Sequence, residues 1–417
     1  MLKKFFLLIL FAAFCAFAAA GGYYYHKKYE TRKKEFTVWT IQLKPVATEI
    51  MEENISFFKQ IHPGIKVNWV DIPIAEAQKR TLAAVLGGNP PDLINLNPDF
   101  SLILAQRGAL EYFSEEEGKK FSKSALDILR YDGKIFALPF YATSSITLYN
   151  KALFNACGYY NVPRTYEELA AVAPDLKKCA KTYPFAINLN ENDSLAKILN
   201  KYGVNTFESE DEIQKAIFVY KMFNELYKNN LISKDTLTIT HREAAEKYMS
   251  NSTIFVVLGS NFLNMVKENA PETYSKSDIS EQLKSKDGAY DVALMNFVIP
   301  KYARHKVLAH EFAHLLTDKE SQLKLAKLTN VIPVNKEALD DEYFKICTGD
   351  LSTKARCTSI KQLENSGNRD FGGQNKKEIN DAINKTAEKI LLNPSITDEG
   401  LEKEVRALAK RIKELRA

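Results

Sequence analysis

Residues 133–176, GKIFALPFYATSSITLYNKALFNACGYYNVPRTYEELAAVAPDL, carry the clearest structural signals in this chain. The apolar run at 135–141 predicts a strand, and after a stretch rich in Ser and Thr a second strand is predicted at 146–149. Thr165 then precedes a helical pattern, and Glu168 follows it three residues later, which predicts a helix that begins with a capping box. This segment therefore predicts two strands, a loop and a capped helix.

Strand and helix patterns alternate through the rest of the chain as well. Alternating apolar residues predict strands at 36–40, 65–70 and 92–96, and amphipathic spacing predicts helices at 49–62 and 75–86 between them. This order predicts a parallel sheet with right-handed crossovers. Later strands are predicted at 252–259 and 292–298, and later helices at 165–180, 211–229, 304–317, 319–328, 377–392 and 397–416, with a polar surface loop at 364–377.

Taken in order, these motifs resemble the extracellular solute-binding proteins of ABC importers, the family of the maltose-binding protein. The usual run in that family is Gly-Lys-x-apolar-x-x-Pro, a crossing between two lobes, Tyr-Asn-Lys and Pro-x-Thr-Trp/Tyr-x-Glu-Leu. Residues 133–139, 149–151 and 163–169 follow it, with Tyr166 in place of the commoner Trp. The resemblance extends over about 36–417 and implies an α/β fold of the type II periplasmic-binding-protein kind.

The resemblance also implies two lobes that are joined by crossing strands. Each lobe is a sheet flanked by helices. At 417 residues, 45% of them hydrophobic, the chain is long enough to bury two cores. The predicted division is 1–22, signal peptide or N-terminal membrane anchor; 23–35, basic tether; 36–141 with 293–332, N-terminal lobe; and 142–292 with 333–417, C-terminal lobe.

The N-terminus has the composition of an export segment. Lys3 and Lys4 precede an apolar run at 5–22, and the three Ala at 18–20 offer a cleavage site. The run is also just long enough to span a bilayer as an uncleaved anchor, and Cys15 allows a lipoprotein alternative. All three alternatives place the body of the protein outside the cytoplasm, in the periplasm or at the outer face of the cytoplasmic membrane.

The positive charge is confined to the N-terminus. The formal net charge is +5, and residues 1–35 alone hold seven Lys and Arg against two Glu, so residues 36–417 are neutral overall. A nucleic-acid-binding protein needs a concentrated basic face. The charge distribution therefore argues against nucleic acid as a partner, whereas basic residues beside an apolar run favour contact with a membrane.

Four cysteines follow the N-terminal segment, Cys157, Cys179, Cys347 and Cys357. An even number of cysteines in an exported chain predicts disulfides. Of the three possible pairings, the simplest joins each cysteine to its neighbour in sequence, and the spacing alone does not choose among the three. No Cys-x-x-Cys occurs, so the cysteines indicate neither a zinc site nor a thiol-exchange site.

Residues 310–314, HEFAH, match the H-E-x-x-H zinc motif. On a helix the motif places both His on one face with Glu311 beside them as a candidate general base, so one alternative is a membrane-tethered zinc hydrolase. The extended motif also requires a Gly and a third His, but Thr317 and Glu320 stand at those positions. Residues 309–322 instead match a helix of the solute-binding family. We therefore predict neither a catalytic residue nor a metal ligand here.

In the family that the chain resembles, a ligand binds between the lobes, and closure buries it. A sugar needs aromatic rings against its C–H faces and fixed polar groups for its hydroxyls, and ligands of α/β sheets collect at the carboxyl ends of the strands. Only two Trp occur in the chain, which argues against a long oligosaccharide. The predicted ligand-binding residues lie at strand ends and crossings: Trp39, Gln42, Asn97, Asp99, Tyr141, Ser144, Gly259, Asn261, Phe262 and Asn330.

These observations predict an exported substrate-binding component of an ABC transporter. It is expected to capture a small solute, which the resemblance implies is a saccharide or polyol derivative, and to deliver it to the transmembrane permease subunits. We expect a monomer without a cofactor. The alternatives are the zinc hydrolase described above and a transport-inactive binding module with a sensory or adhesive role.

Overall fold

A computed structural model describes residues 34–191, 193–364, 366 and 375–416 of the chain. The predicted signal or anchor segment, the lipoprotein alternative at Cys15, nearly all of the predicted tether and most of the loop at 364–377 lie outside these residues. The chain divides into two units. Unit 1 contains the described residues up to Phe140 together with Met295–Leu328, and unit 2 contains Tyr141–Leu294 and the described residues from Thr329 onward. None of the helices in the described ranges has both the length and the apolar content needed to cross a membrane.

The helices and strands are numbered along the chain. The first are β1 (Glu35–Ile41), α1 (Thr48–Ile61), β2 (Lys66–Ile72), α2 (Ile74–Leu86), β3 (Leu93–Leu96), α3 (Pro98–Gln106), α4 (Glu115–Gly118), α5 (Lys123–Asp127), β4 (Arg130–Tyr131), β5 (Lys134–Ile135) and β6 (Leu138–Asn150). Then come α6 (Lys151–Ala156), α7 (Tyr166–Ala180), β7 (Tyr183–Ala186), α8 (Ser194–Lys201), α9 (Glu210–Lys228), α10 (His241–Met249), β8 (Thr253–Gly259), α11 (Leu263–Asn269), α12 (Pro271–Ser275), β9 (Ser277–Glu281) and β10 (Val292–Val298). The last are α13 (Lys306–Leu316), α14 (Lys319–Thr329), β11 (Ile332–Pro333), α15 (Lys336–Leu339), α16 (Glu342–Lys345), α17 (Leu351–Glu364), α18 (Lys376–Leu391) and α19 (Asp398–Arg416).

The sheet of unit 1 has the strand order β2-β1-β3-β10. Strand β1 pairs in parallel with β2 and with β3, which confirms the parallel sheet that the alternating patterns predict. Strand β10 runs antiparallel to β3, with Phe297 opposite Asn95. The carboxyl ends of β1, β2 and β3 consequently lie at the same edge of the sheet.

Aromatic side chains pack α1 and α13 of unit 1 onto β1. The rings of Phe36 in β1, Phe58 in α1 and Phe312 in α13 are fully buried. Their centroids lie 4.9 to 5.6 Å apart, within the range over which aromatic rings attract one another. Phe312, in the middle of the HEFAH motif, is therefore a core residue.

The sheet of unit 2 is centred on β6, which is 13 residues long. Strands β8 and β9 pair antiparallel with the second half of β6, and β7 pairs in parallel with β8. The short strand β11 pairs with β6 at Tyr141 and Ala142. Strand β7, which contains Pro184, lies at the edge of this sheet, where a proline removes no ladder hydrogen bond.

Helices α9, α18 and α19 pack on one another in the core of unit 2. Phe223, Ile383 and Val405 from these three helices are almost completely buried. The hydroxyl of the buried Tyr220 donates to the carbonyl of Ile383 at 3.0 Å, so its polar end is not left unpaired. The C-terminal helices are therefore part of the unit 2 core.

Two disulfides lie in unit 2, Cys157–Cys179 and Cys347–Cys357. The first joins the end of α6 to the last turn of α7, and the second joins the segment after α16 to α17. Each bond joins cysteines that are neighbours in sequence. The simplest of the three possible pairings is therefore confirmed.

The structure corrects two details of residues 133–176. The two predicted strands are one strand, 138–150, because residues 143–145 keep the alternation of partly buried and buried side chains although they are polar. The oxygen Oγ1 of Thr165 accepts from the amide of Glu168 at 3.1 Å, so the predicted N-cap is confirmed. The Glu168 carboxylate accepts from the amide of Arg164 at 2.8 Å, one residue before the position that a capping box requires.

Candidate ligand-binding site

In unit 1, the predicted residues Trp39, Gln42 and Asn97 lie at one edge of the sheet. Trp39 of β1 pairs with Ile94 of β3, and the two strands are parallel. The residues that follow them, Gln42 and Asn97, therefore leave the sheet at the same edge. This carboxyl edge is where ligands bind in α/β sheets.

Gln42 and Trp39 are accessible to different degrees. Gln42 is exposed and has a left-handed backbone with φ of 50°. Residues other than glycine rarely adopt this conformation, and those that do are concentrated at functional sites. The amide of Gln42 donates to the carbonyl of Ile72 at 3.2 Å, which holds the turn. Trp39 is half-buried.

Asp71, the penultimate residue of β2, holds the loop that follows β1. Its Oδ1 accepts from the hydroxyl of Thr40 at 2.6 Å and from the amide of Leu43 at 3.1 Å. Its Oδ2 accepts from the amide of Lys44 at 3.0 Å. Sequence reasoning missed Asp71, although an acidic residue near the end of a predicted parallel strand was a usable signal. Asp71 thus positions the loop that contains Gln42.

Trp69 is the second tryptophan at this edge. It lies on β2 opposite Val38, and its Nε1 donates to the Thr40 hydroxyl at 2.7 Å. The ammonium group of Lys44 lies 4.3 Å from the centre of the Trp69 ring, close enough for a cation–π interaction. One face of the Trp69 ring is therefore already in contact with the protein.

Asn97 and Asp99 begin α3. The side-chain oxygen of Asn97 accepts from the amide of Phe100 at 2.9 Å, and Pro98 is the first helical residue. Asp99 is exposed in the first turn, where the helix dipole favours a carboxylate. Both residues thus have a structural role, and their contact with a ligand stays a prediction.

Ser144 is enclosed in unit 2, and only 1% of it is exposed. Its hydroxyl accepts from Nε2 of Gln362 at 2.7 Å and lies 3.4 Å from Nε2 of Gln282. These contacts hold α17 to β6 and give Ser144 a structural role; its contact with a ligand stays a prediction. Tyr141, three residues earlier on β6, is partly buried opposite Pro333 of β11.

The remaining predicted residues, Gly259, Asn261, Phe262 and Asn330, lie around the end of β8. The strand ends at Gly259, opposite Ser145 of β6, and a 3₁₀ turn follows. The hydroxyl of Ser260 in this turn donates to the carbonyl of Asn330 at 3.3 Å. Nδ2 of Asn330 donates to Oδ1 of Asn264 at 3.1 Å. Unit 2 therefore brings these four predicted residues into one neighbourhood.

Within this neighbourhood Asn261 is exposed, whereas Phe262 is partly buried against the core. A Cβ on Gly259 would collide with the side chain of Asn261. The glycine thus lets the Asn261 amide lie directly over the backbone at the end of β8.

The residues of the HEFAH motif point to different partners in unit 1. Oε2 of Glu311 lies 2.6 Å from Nε2 of His62, after the end of α1. Nδ1 of His310 and Nε2 of His314 lie 2.6 and 2.9 Å from one oxygen, Oε1 of Glu117 in α4. Across the ranges that the structure describes, no group of three or more His, Cys, Asp or Glu side chains is already arranged to hold a metal ion. The pairing of Glu311 with His62 does not favour a hydrolase.

The electrostatics of this cluster favour an ionised Glu117 carboxylate and a neutral His314 imidazole. Burial alone would raise the pKa of Glu117, but hydrogen bonds from the Ser114 amide, His310, His314 and the Ser114 hydroxyl lower it to about 2. Burial lowers the pKa of His314, and the charge of Lys120 adds to this effect, against the raising influence of Glu117. Glu117 is therefore a hydrogen-bond acceptor at neutral pH.

Comparison with known proteins assigns the family. Residues 55–346 match the profile of the bacterial extracellular solute-binding proteins. The chain belongs to this family. The resemblance in residues 133–176 is thereby confirmed, and the members of the family are binding proteins.

Relatives and solved structures agree with this assignment. A protein of Brucella abortus, provisionally named a binding protein, is 24% identical over 311 residues, which are 70% of this chain and 74% of that protein. The diacetylchitobiose binding protein DasA of Streptomyces coelicolor is 26% identical over 286 residues, 63% of this chain and 64% of DasA. A crystal structure from Synechococcus sp. MITs9220, provisionally assigned as an oligosaccharide periplasmic-binding protein, matches with a TM-score of 0.81 at 22% identity. It covers 92% of this chain and 100% of that one, so the predicted α/β fold of type II periplasmic-binding proteins is confirmed.

Proposed function

We propose that the protein captures a carbohydrate outside the cytoplasm and delivers it to an ABC permease. Support comes from the geometry of the predicted sugar-contacting residues, most of which gather at strand ends within each unit. Membership of the solute-binding family supports capture of a solute, and the relatives named for diacetylchitobiose and oligosaccharides support a sugar. The two disulfides fit a protein that folds in an oxidising compartment.

In unit 1, Trp39 and Gln42 are the residues that we propose contact the sugar. The half-buried indole of Trp39 is held by its strand, and an aromatic face suits the C–H surface of a pyranose ring. The exposed amide of Gln42 both donates and accepts, as a sugar hydroxyl requires. In unit 2, the exposed amide of Asn261 and the ring of Phe262 offer the same two kinds of contact.

The ligand that we propose is a short saccharide. Successive sugar rings need successive aromatic surfaces, and Trp39 and Trp69 are the only tryptophans in the chain. Lys44 lies over the Trp69 ring, which leaves Trp39 as the tryptophan for stacking. A single tryptophan for stacking suits a mono- or disaccharide better than a long oligosaccharide.

A thermal-shift screen of the full chain against mono-, di- and trisaccharides, with diacetylchitobiose among them, tests the proposal. A sugar present at 100 times its Kd should stabilise the protein by about 2.7 kcal/mol, which raises the Tm by roughly 5–10 °C for a domain of 150–250 residues. The variant Trp39→Ala should lose the shift, whereas the control Trp69→Phe should keep it. A screen in which no sugar raises the Tm would refute the proposal, and so would an unchanged shift in Trp39→Ala.

Delivery to a permease needs its own test. Cells that lack this chain should take up the identified sugar more slowly, and the wild-type gene should restore uptake. Normal uptake in the deletion strain would favour the transport-inactive sensory or adhesive alternative.

A further inference from the structure

We propose that His310, His314 and Glu117 form a binding site for a divalent transition metal such as Zn²⁺. The site uses none of the residues proposed for sugar contact. Two of its side chains stand one turn apart on α13, and the third comes from α4 of the same unit. Their donor atoms meet at Oε1 of Glu117, 2.6 Å from Nδ1 of His310 and 2.9 Å from Nε2 of His314.

The composition of the cluster selects the class of metal. Two imidazole nitrogens and one carboxylate oxygen are a ligand set that zinc and its neighbours in the first transition row accept. Calcium and magnesium prefer sites made of oxygen atoms alone. The carboxylate also supplies a negative charge, which a dication favours, and each imidazole can coordinate through the lone pair of a deprotonated ring nitrogen.

Neighbouring groups hold the ligands in the orientation that a metal needs. Oε2 of Glu117 accepts from the amide and the hydroxyl of Ser114, at 2.7 and 2.8 Å, which turns Oε1 toward the two imidazoles. The ring of Phe113 packs against that of His310, with centroids 4.7 Å apart. In known metal sites, contacts of this kind hold the metal-binding side chains in place, and their loss weakens metal binding.

The metal-free site is closed and must open slightly. Ligand atoms around a tetrahedral zinc stand about 3.3 Å apart, given zinc–ligand bonds of about 2.0–2.1 Å, whereas the present separations are 2.6 and 2.9 Å. An outward movement of Glu117 by about half an ångström would supply the space. The side chains of Glu117, His310 and His314 are 21%, 24% and 29% exposed, so an ion has access from solvent. Water would complete the coordination.

Metal binding also requires the two ring nitrogens to give up their protons. The ionised Glu117 only accepts hydrogen bonds, so Nδ1 of His310 and Nε2 of His314 carry the shared protons. When a metal binds, a neutral imidazole moves its proton to its other nitrogen and uses the freed lone pair for the metal. A charged imidazole must release one proton to solvent. Metal and protons therefore compete for the two ring nitrogens, and binding should weaken at acid pH.

Two charged residues near the cluster distinguish this site from a catalytic one. Glu311, the base that the H-E-x-x-H motif would supply, lies against His62. The ammonium group of Lys120 donates to the carbonyl of His314 at 3.4 Å, and its charge opposes that of a bound dication. We therefore assign the metal a structural role, as a clip between α13 and α4, and we expect Lys120→Gln to bind it more tightly.

The test is a zinc titration of the full chain without a polyhistidine tag, in competition with a chromophoric chelator. We expect one zinc per chain, with an affinity that falls at least tenfold in His314→Ala and in Glu117→Gln. The matched control Glu311→Gln alters the motif but not the proposed ligands, so its affinity should equal that of the wild type. Cobalt substitution of the wild type should give the visible absorption of a tetrahedral ion.

Several results would overturn the metal site. They are the absence of stoichiometric binding by the wild type, an affinity that survives in His310→Ala and His314→Ala, or an equal loss in Glu311→Gln. If the alanine variants do not fold, X-ray absorption of the zinc-loaded wild type decides, because it counts imidazole ligands directly. Fewer than two imidazoles on the zinc would refute the site.

Discussion

Asp71 shows how a single side chain positions a loop in this protein. Its carboxylate accepts from the Thr40 hydroxyl and from two backbone amides in the loop that contains Gln42. The sequence indicated Gln42 through its place after a strand. The place of Asp71 near a strand end does not show which loop it supports, because the residues that it contacts are 27 to 31 positions away.

The substitution Asp71→Asn should loosen this loop. The new Nδ2 cannot accept from the amide of Lys44, and the remaining oxygen carries no charge, so we expect a loss of about 1–2 kcal/mol in the free energy of unfolding. Urea unfolding measures it, with Asp127→Asn as the control, since the exposed pair of Asp127 with Lys123 should contribute little. Equal effects of the two substitutions would contradict the structural role of Asp71.

Glu117 should make stability depend on pH. Its pKa is about 2 in the folded protein against an ordinary value of 4.5, so folding favours the ionised form. The contribution of Glu117 is therefore fully present above about pH 4.5 and is lost as the pH falls toward about 2. Urea midpoints across this range should fall more steeply for the wild type than for Glu117→Gln, which has no proton to take up. Parallel curves for the two proteins would show that Glu117 is not the group responsible.

At the scale of helices and strands, burial decides how much each apolar side chain contributes to the stability of the protein. Helix α1 presents adjacent phenylalanines to opposite environments: Phe58 is fully buried between Phe36 and Phe312, whereas Phe57 is 49% exposed. The two side chains have the same chemistry and the same helix propensity. Differences between their variants therefore report packing alone.

Phe58→Ala should destabilise the protein by about 3–5 kcal/mol, because it leaves a cavity among aromatic rings. Phe57→Ala, the matched control, should change stability by no more than about 0.5 kcal/mol. Denaturant unfolding of both variants makes the comparison. A large effect of Phe57→Ala would mean that its exposed ring is covered by something in solution.

The helices with strong periodicity could be predicted, and most of the short helices could not. Helices α1, α2, α7, α9, α18 and α19 start and end within about two residues of the bounds that apolar spacing indicates. Helices α3, α6, α8, α10 and α17 and strands β7 and β9 were missed. Most of these elements are too short for a period to stand out, and β7 also contains Pro184, which is acceptable only because the strand lies at a sheet edge.

For the whole molecule, the proposed sugar contacts and the proposed metal site can be tested separately. Because they share no residue, a sugar that raises the Tm should raise it by the same amount in EDTA. Thermal melts with and without EDTA, each with and without sugar, measure both effects in one experiment. A sugar shift that disappears in EDTA would show that the metal takes part in sugar binding.

The sequence alone determined the family and the parallel sheet, because these follow from local signals, namely motif order and apolar period. It offered the sequence-neighbour disulfides only as the simplest of three pairings, and the structure chose them. The sequence also placed Gly259, Asn261, Phe262 and Asn330 among the candidates, and the structure then brought them together around the end of β8.

Only the tertiary structure decided which side chains are buried or held by hydrogen bonds to distant residues. It buries Ser144 under Gln362, employs Asn97 as a helix cap and places the Glu117 carboxylate between His310 and His314. The Ser144 and Glu117 contacts join residues more than 190 positions apart. A periodic pattern reports the surroundings of a residue along its own helix or strand, whereas hydrogen bonds of this kind depend on which distant segment packs against it.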